Sequence, residues 1–192
     1  MHPALYRSYQ FFAAVKASLP RQLSPADTAL MRAVLPAPAQ QELFNRMPPN
    51  DRRHAIAVAR TLQQAGHTEP ALLQAALLHD VAKSIGQPIL HRVAIVLFEA
   101  FWPAALRALS DWQQNDAAPS FADSQIRGIV WWRRPFVVHA HHPAIGAAWA
   151  KRAGCDSLAV TLILNHQQKP AAAPATAVEK LQAALYQADN LN

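Results

Sequence analysis

Residues 70–83 read PALLQAALLHDVAK, and they form the most informative segment of the chain. Leucine and alanine recur through it at helical spacing, which predicts a helix over about 69–84, with Thr68 as its cap and Pro70 in its first turn. Three polar residues close the segment: His79, Asp80 and Lys83. Adjacent helical residues splay by about 100°, so the histidine and the aspartate can flank one cation, and the lysine faces the same side.

The same spacing of apolar residues continues through most of the chain while β-branched runs are few, so we predict an all-α fold. Four further helices are expected over about 51–65, 143–153, 157–168 and 177–190. The first is predicted to stop at Gly66, and the second to open with Pro143. We expect residues 1–47 to form an N-terminal extension of two or three short helices. Residues 48–192 then form the main domain, with an α-helical insertion over 85–135.

Composition limits the classes of protein to consider. The chain of 192 residues is 52% hydrophobic and 16% charged, which excludes a disordered protein. Its single cysteine, Cys155, forms no internal disulfide, so a cytoplasmic setting is the default. Eighteen basic against twelve acidic residues give a net charge of +6, which favours anions such as phosphates. We expect no nucleic-acid partner and no membrane span, because the apolar stretch Val93–Leu106 is interrupted by Glu99 and Pro103.

Several other polar residues lie on apolar helix faces. His54 shares a face with Val58 and Leu62, and Asp189 lies on the apolar stripe of the last predicted helix. A buried carboxylate is costly unless it is paired or binds a metal. Taken singly, each has a structural explanation, since a lone histidine is commonly a hydrogen-bonded core residue and Asp189 can fray into solvent near the C-terminus. His166 follows the same pattern as His54.

Residues 139–142 read HAHH, a histidine-dense run directly before a predicted helix. Short histidine-rich tracts readily bind metal, but the spacing alone leaves open which of His139, His141 and His142 is a ligand, and a surface cluster is the alternative. Together, the inward-facing imidazoles and carboxylates lack thiolate partners, which suits iron, manganese, cobalt, nickel or zinc. Six such ligands exceed the four of one tetrahedral zinc, so two ions that share a carboxylate would use them.

The ordered set H…HD…H…H…D resembles the HD superfamily of metal-dependent phosphohydrolases over about residues 50–190, which implies an HD-type helical bundle. Within it, the chain is most similar to bacterial proteins that hydrolyse diadenosine tetraphosphate symmetrically. Residues 79–83 (HDVAK) match their H-D-x-A-K motif, and residues 142–147 (HPAIGA) are similar to H-G-x-x-G-A. Pro143 replaces the first glycine, and the gap from Asp80 to His142 is longer than in that group.

The resemblance implies a ligand set for two divalent transition-metal ions. It assigns one ion to His54, His79, Asp80 and Asp189. It assigns the second ion to Asp80 as a bridge with His142 and His166, and so selects His142 from the histidine run. The implied function is hydrolysis of a phosphate ester or phosphoanhydride of a nucleotide or similar small molecule, through a hydroxide that bridges the two metals.

Four further residues are expected to serve the substrate. Lys83 is placed to stabilise the charge on the leaving oxygen, and Arg52 or Arg53 can contact a second phosphate bidentately. His91 is a weaker candidate for substrate contact. We therefore predict Lys83, Asp80 and Arg53 as catalytic residues. The predicted substrate-binding residues are Arg52, Arg53, Lys83 and His91.

Three alternatives share the same sequence features. The ligand set also suits a di-iron oxygenase of the HD fold, or a non-catalytic sensor that binds a nucleotide. In the run Trp131–Arg134, the tryptophans can stack a base and the arginines can bind phosphates. The favoured interpretation is instead one core tryptophan, one interface tryptophan and two solvated arginines. With Val93–Leu106, the same run allows a peripheral membrane role. A homodimer is also compatible with the sequence.

Overall fold

The computed structural model describes residues 22–85, 89–112 and 121–192, and this part of the chain is all-α, with no strand. The predicted fold class is confirmed. The helices are α1 (Pro25–Val34), α2 (Pro38–Asn45), α3 (Pro49–Gln64), α4 (Pro70–Leu78), a 3₁₀ helix η1 (Val81–Ile85), α5 (Ile89–Phe101), α6 (Pro103–Ser110), α7 (Asp123–Gly128), α8 (Arg134–Arg152), α9 (Ser157–Asn165) and α10 (Ala177–Leu191).

Proline marks the start of five of these helices: α1, α2, α3, α4 and α6. The first helical residue needs no N–H donor, and the proline ring presets a helical φ, so proline is well suited to this position. Glycine marks two ends, since Gly66 (φ 87°) and Gly154 (φ 74°) adopt left-handed backbone directly after α3 and α8. These two helix ends agree with the sequence prediction.

Helix α4 lies at the centre of the molecule and packs against α3, α9 and α10, with α1 and α2 also in contact. Six of its nine residues are buried, which explains why its sequence is apolar on all sides rather than on one stripe. Fully burying a leucine contributes about 1.5–3 kcal/mol, so the leucines of α4 anchor the bundle. The N-terminal extension contributes α1 and α2 to this core, through Leu35 and Phe44 among others. Residues 1–21 lie outside the described part.

The central helix is shorter than predicted. The expected helix over 69–84 is wrong in its second half, because α4 ends at Leu78, a turn holds His79 and Asp80, and η1 follows. The break lies at the two residues that carry the candidate chemistry.

Helix α8 is longer than predicted. It runs through Pro143 without a break, so the expectation that a helix opens there is wrong. An interior proline costs about 3 kcal/mol, and buried Phe136, Val137 and Val138 in the half of α8 before it offset that cost.

In its described residues, the region predicted as an α-helical insertion contains α5, α6 and α7. Ile95 and Leu106 form a second small core with Phe136 of α8. Within the described residues, no helix is long and apolar enough to cross a bilayer.

Candidate metal centre

The carboxylate of Asp80 lies at the middle of the site, in the turn between α4 and η1. Its Oδ1 faces Nε2 of His142 at 3.5 Å and Nε2 of His166 at 3.7 Å. Its Oδ2 lies 2.7 Å from Nζ of Lys83 and 3.6 Å from Nε2 of His79. The two oxygens of one side chain thus face two different sets of partners, which come from α4, η1, α8 and the end of α9.

A second carboxylate closes the opposite side. Oδ1 of Asp189, on α10, lies 2.8 Å from Nε2 of His54 on α3 and 3.4 Å from Nε2 of His79. His79 therefore stands between two carboxylates. Adjacent imidazole rings lie close together as well, with centroids 5.4 Å apart for His54 and His79, and 5.2 Å apart for His142 and His166.

All three fully buried histidines are held in the same way. Each donates its Nδ1–H to the backbone carbonyl three residues earlier, at 2.7–2.9 Å: His79 to Ala76, His142 to His139, and His166 to Ile163. A carbonyl only accepts, so the ring proton must be on Nδ1 and the neutral ring presents the lone pair of Nε2. Metal-binding histidines are usually oriented by such a hydrogen bond from the other ring nitrogen.

Three buried atoms at the centre have no hydrogen-bond partner among the residues that the structure describes: Nε2 of His79, Oδ1 of Asp80 and Nε2 of His142. An imidazole lone pair facing a carboxylate oxygen offers no proton to share. Leaving a buried polar group unsatisfied costs about 1–3 kcal/mol. A cation between these atoms would satisfy all three, so the residues fit a bound metal.

The donor atoms form two groups that share one aspartate. The first is His54, His79 and Asp80, the second is Asp80, His142 and His166, and within each group the ligand atoms lie within 4.8 Å of one another. Nitrogen and oxygen donors without sulfur suit iron, manganese, cobalt, nickel or zinc. The geometry brings together all six residues predicted as ligands, with Asp189 joined through its contacts to His54 and His79.

The electrostatics hold Asp80, His142 and His166 in the protonation states that metal binding needs. Burial lowers the pKa of His166 to about 3, and the neighbouring charge of His79 adds to this effect. Burial also lowers the pKa of His142. Burial alone would raise the pKa of Asp80, but His79, His142 and Lys83 outweigh it and hold that pKa well below its usual range.

His79 behaves differently from the other two buried histidines. Burial lowers its pKa, but the carboxylates of Asp80 and Asp189 together outweigh burial and raise it. The pKa of Asp189 is lowered, because its hydrogen bonds to His54 and His79 outweigh the effect of burial. Of the imidazoles of His79, His142 and His166, that of His79 therefore binds a proton most readily when no cation is present.

The site opens to solvent on one side. The side chains of His54, Asp189 and Lys83 are 28%, 29% and 24% exposed, whereas those of His79 and His142 are 0% exposed. The solvent-exposed side of the cluster is therefore the side of His54, Asp189 and Lys83.

The three histidines of the run 139–142 have separate roles in the structure. His142 faces Asp80, as the resemblance implied. His139 pairs through Nε2 with Glu99 of α5 at 2.9 Å, and His141 donates to the carbonyl of Ser110 in α6 at 3.2 Å. These two histidines tie the inserted helices to α8.

The predicted substrate-binding residues Arg52, Arg53 and His91 are not part of the two ligand groups. Arg52 precedes His54 by two residues, which points it about 200° away around α3, and it lines a cavity of about 400 Å³ with Thr28 and Gln41. Arg53 donates to Oδ1 of Asn50 at 2.5 Å. The side chain of His91 lies outside the described part. For these three residues the substrate role stays a prediction.

The run Trp131–Arg134 also differs from the favoured interpretation. Trp131 and Trp132 are 72% and 45% exposed, so neither is a core residue. The guanidinium of Arg133 donates to the carbonyls of Leu109 and Asp111, and that of Arg134 donates to the carbonyls of Arg127 and Ile129. The arginines therefore join the ends of α6 and α7 to the start of α8.

Sequence reasoning missed the backbone acceptors of the site, the carbonyls of Ala76, His139 and Ile163. A carbonyl has no side-chain signature, so only the positions of helix ends and of Pro143 could have indicated them. The fold and the site define an all-α protein with a buried histidine–aspartate cluster that can bind metal. No family model, curated protein or solved structure matches the chain.

Proposed function

We propose that the protein is a metal-dependent phosphohydrolase that acts on a nucleotide or another small phosphate ester or anhydride. One observation carries the proposal: the carboxylate of Asp80 is shared by two groups of imidazoles, and its second oxygen lies 2.7 Å from the ammonium of Lys83 at the open side. A cation beside a metal cluster is suited to an anionic substrate. The net charge of +6 supports the same substrate class.

In the proposed enzyme, His54, His79, Asp80 and Asp189 hold one ion, and Asp80, His142 and His166 hold the other. Paired divalent cations supply a water of lowered pKa as nucleophile and neutralise charge on phosphoryl oxygens. The contribution of the chain is to fix the imidazoles by their Nδ1 hydrogen bonds, so that the ligand geometry exists before binding.

Lys83 binds and orients the phosphate in this proposal. Its side chain is 24% exposed, so its ammonium reaches both the carboxylate of Asp80 and the solvent-facing side of the cluster. With ions held by Asp80, the ammonium of Lys83 would be available to bind a substrate oxygen. Lysine acts here as a compact point charge on a flexible stem.

The test combines metal analysis with an activity panel. The protein is loaded with each of Mn²⁺, Co²⁺, Ni²⁺, Zn²⁺ and Fe²⁺, and assayed against phosphate monoesters, diesters and nucleotide anhydrides. Asp80→Ala is expected to lose metal and phosphate release together. His67→Ala is the matched control, because His67 lies beside Glu69 outside the cluster. Metal and activity retained in Asp80→Ala would falsify the assignment.

A second candidate is a di-iron oxygenase. It is favoured by the composition of the two groups, since each contains two histidines and one aspartate, the ligand set of many non-haem iron oxygenases. Lys83 on the shared carboxylate favours the hydrolase instead. Dioxygen consumption by the iron-loaded protein without phosphate release from any ester would select the oxygenase, and nucleotide binding without either reaction would select a sensor.

A further inference from the structure

Pro143 lies in the interior of α8, one residue after His142. In a regular helix the N–H of residue 143 would donate to the carbonyl of residue 139. Proline has no N–H, so this carbonyl is left without its helical donor. The position is therefore unusual on two counts, since it interrupts the helical hydrogen bonds and directly follows a buried histidine of the cluster.

The carbonyl that Pro143 leaves open is the acceptor for His142. Nδ1 of His142 lies 2.7 Å from the oxygen of His139. The imidazole thus takes the place of the missing backbone donor. As a result the ring proton is held on Nδ1, and the lone pair of Nε2 faces Oδ1 of Asp80 at 3.5 Å.

The other two buried histidines reach the same arrangement without a proline. Ala76 and Ile163 belong to the last turns of α4 and α9, where the final four carbonyls lack an intrahelical donor. His79 and His166 are the residues directly after those helices, and their Nδ1 atoms donate to the carbonyls of Ala76 and Ile163. The carbonyl of Ile163 also accepts the backbone N–H of His166, at 3.5 Å. His142 lies in mid-helix, where a carbonyl three residues back is normally occupied.

We propose that Pro143 is a positioning residue, which keeps the carbonyl of His139 for the imidazole of His142 and so selects the tautomer that binds metal through Nε2. The proposal rests on the metal centre proposed above, but not on hydrolysis. It explains why the chain carries a proline inside a helix that is otherwise continuous over Arg134–Arg152.

The variant Pro143→Ala restores an N–H that competes for the same carbonyl. In metal-free protein, long-range ¹H–¹⁵N spectra of the imidazoles are expected to show His142 moving from the Nδ1–H form towards a mixture of tautomers. In a Zn²⁺ titration, the ion held by His142 and His166 is expected to bind about tenfold more weakly, the lower end of the loss seen when such hydrogen bonds are changed. Affinity at His54, His79 and Asp189 is expected to stay unchanged.

The thermal stability of Pro143→Ala distinguishes a positioning role of Pro143 from a purely structural role. Removing a proline from a helix interior favours the helix, so the Tm of metal-free Pro143→Ala is expected to rise while Zn²⁺ affinity falls. Pro103→Ala is the matched control, because Pro103 opens α6 and leaves no carbonyl unpaired. It is expected to change neither the His142 spectrum nor either Zn²⁺ affinity.

Two results overturn the proposal. One is an unchanged tautomer of His142 in Pro143→Ala with both Zn²⁺ affinities intact. The other is a joint fall in Tm and in both affinities, which would indicate a role in folding alone. Absence of phosphate release from the wild type counts against the hydrolase and leaves the spectroscopic result standing, so the two failures are distinguishable.

Discussion

The Nζ of Lys83 lies 2.7 Å from Oδ2 of Asp80, on the same carboxylate whose other oxygen faces the imidazoles of His142 and His166. The pair spans three residues at the start of η1, so the lysine is held over the cluster by local chain geometry. This contact connects the metal-binding side of the site to its solvent-facing side, and the first prediction follows from it.

Lys83→Gln is expected to keep both metal ions and to lose activity. The amide keeps a polar, slightly shorter side chain but removes the charge that contacts the phosphate, and removing one such group typically lowers kcat by about 10²–10³-fold. Steady-state kinetics with the best substrate of the panel, together with metal content, measures this. Lys180→Gln, on an exposed part of α10, is the control. Wild-type kcat/KM in Lys83→Gln would exclude a role for the ammonium.

His142→Ala is expected to reduce the metal content from two ions per chain to one. Its Nε2 belongs to the second group of ligands, whereas His54, His79 and Asp189 are untouched. Metal analysis after dialysis against a weak chelator measures the stoichiometry. His139→Ala serves as the comparison, since His139 pairs with Glu99 and its backbone carbonyl survives the substitution. A stoichiometry equal to wild type in His142→Ala would remove this residue from the ligand set.

Asp80→Asn is expected to abolish binding of both ions, because the amide keeps the shape of the side chain but loses the charge that the two groups share. The metal-free variant is expected to fold, which circular dichroism checks alongside the metal analysis. Asp111→Asn, at an exposed position, gives the matched comparison. Retention of one ion at full affinity would show that Asp80 serves a single ion.

The metal-free protein is expected to lose stability as the pH falls below 6.5. The pKa of His166 is lowered from 6.5 to about 3. Between these two pH values His166 is protonated in the unfolded chain but neutral in the folded chain. Stability then falls by about 1.4 kcal/mol per pH unit from this residue. His142 acts in the same direction. The raised pKa of His79 acts oppositely, since its stabilisation is present below 6.5 and is lost at higher pH.

Urea unfolding in the presence of chelator at pH 6.5 and pH 5 measures this dependence. His166→Gln cannot take up the proton in either state, so its stability is expected to depend less steeply on pH, by about 1.4 kcal/mol per unit. Equal slopes for the variant and the wild type would show that His166 is not buried as a neutral imidazole.

Gly146→Ala is expected to be tolerated, although Gly146 lies where α8 meets α9 and η1. A Cβ there would meet Ile163 at 3.4 Å and Val81 at 3.5 Å, which is ordinary van der Waals contact. Alanine is favoured over glycine in a helix interior by up to about 1 kcal/mol. Thermal unfolding is expected to show equal or slightly higher Tm, whereas Gly146→Val has no room for its added methyls and lowers it. A large loss in the alanine variant would mean a closer packing of α8 than the structure has.

The all-α fold and the candidate ligands could be predicted from the sequence, because both depend on local pattern. Helical spacing of leucine and alanine is repeated along the chain, and residues such as Asp189 stand out as polar positions on apolar stripes. The position of Arg52 could not be predicted in this way. Arg52 and His54 are neighbours in sequence, but the helix turns them to different sides of α3, and Arg52 lines another cavity.

Two features were decided only by tertiary structure: the break in α4 at His79 and the continuity of α8 through Pro143. In each case the direction of a side chain depends on which helix covers which face, and on which backbone carbonyls remain open after the helices pack. Those are relations between distant segments, since Asp80 meets residues of α8 and the end of α9. A local sequence pattern identifies the residue types that can bind a cation, while packing brings their lone pairs to a common point.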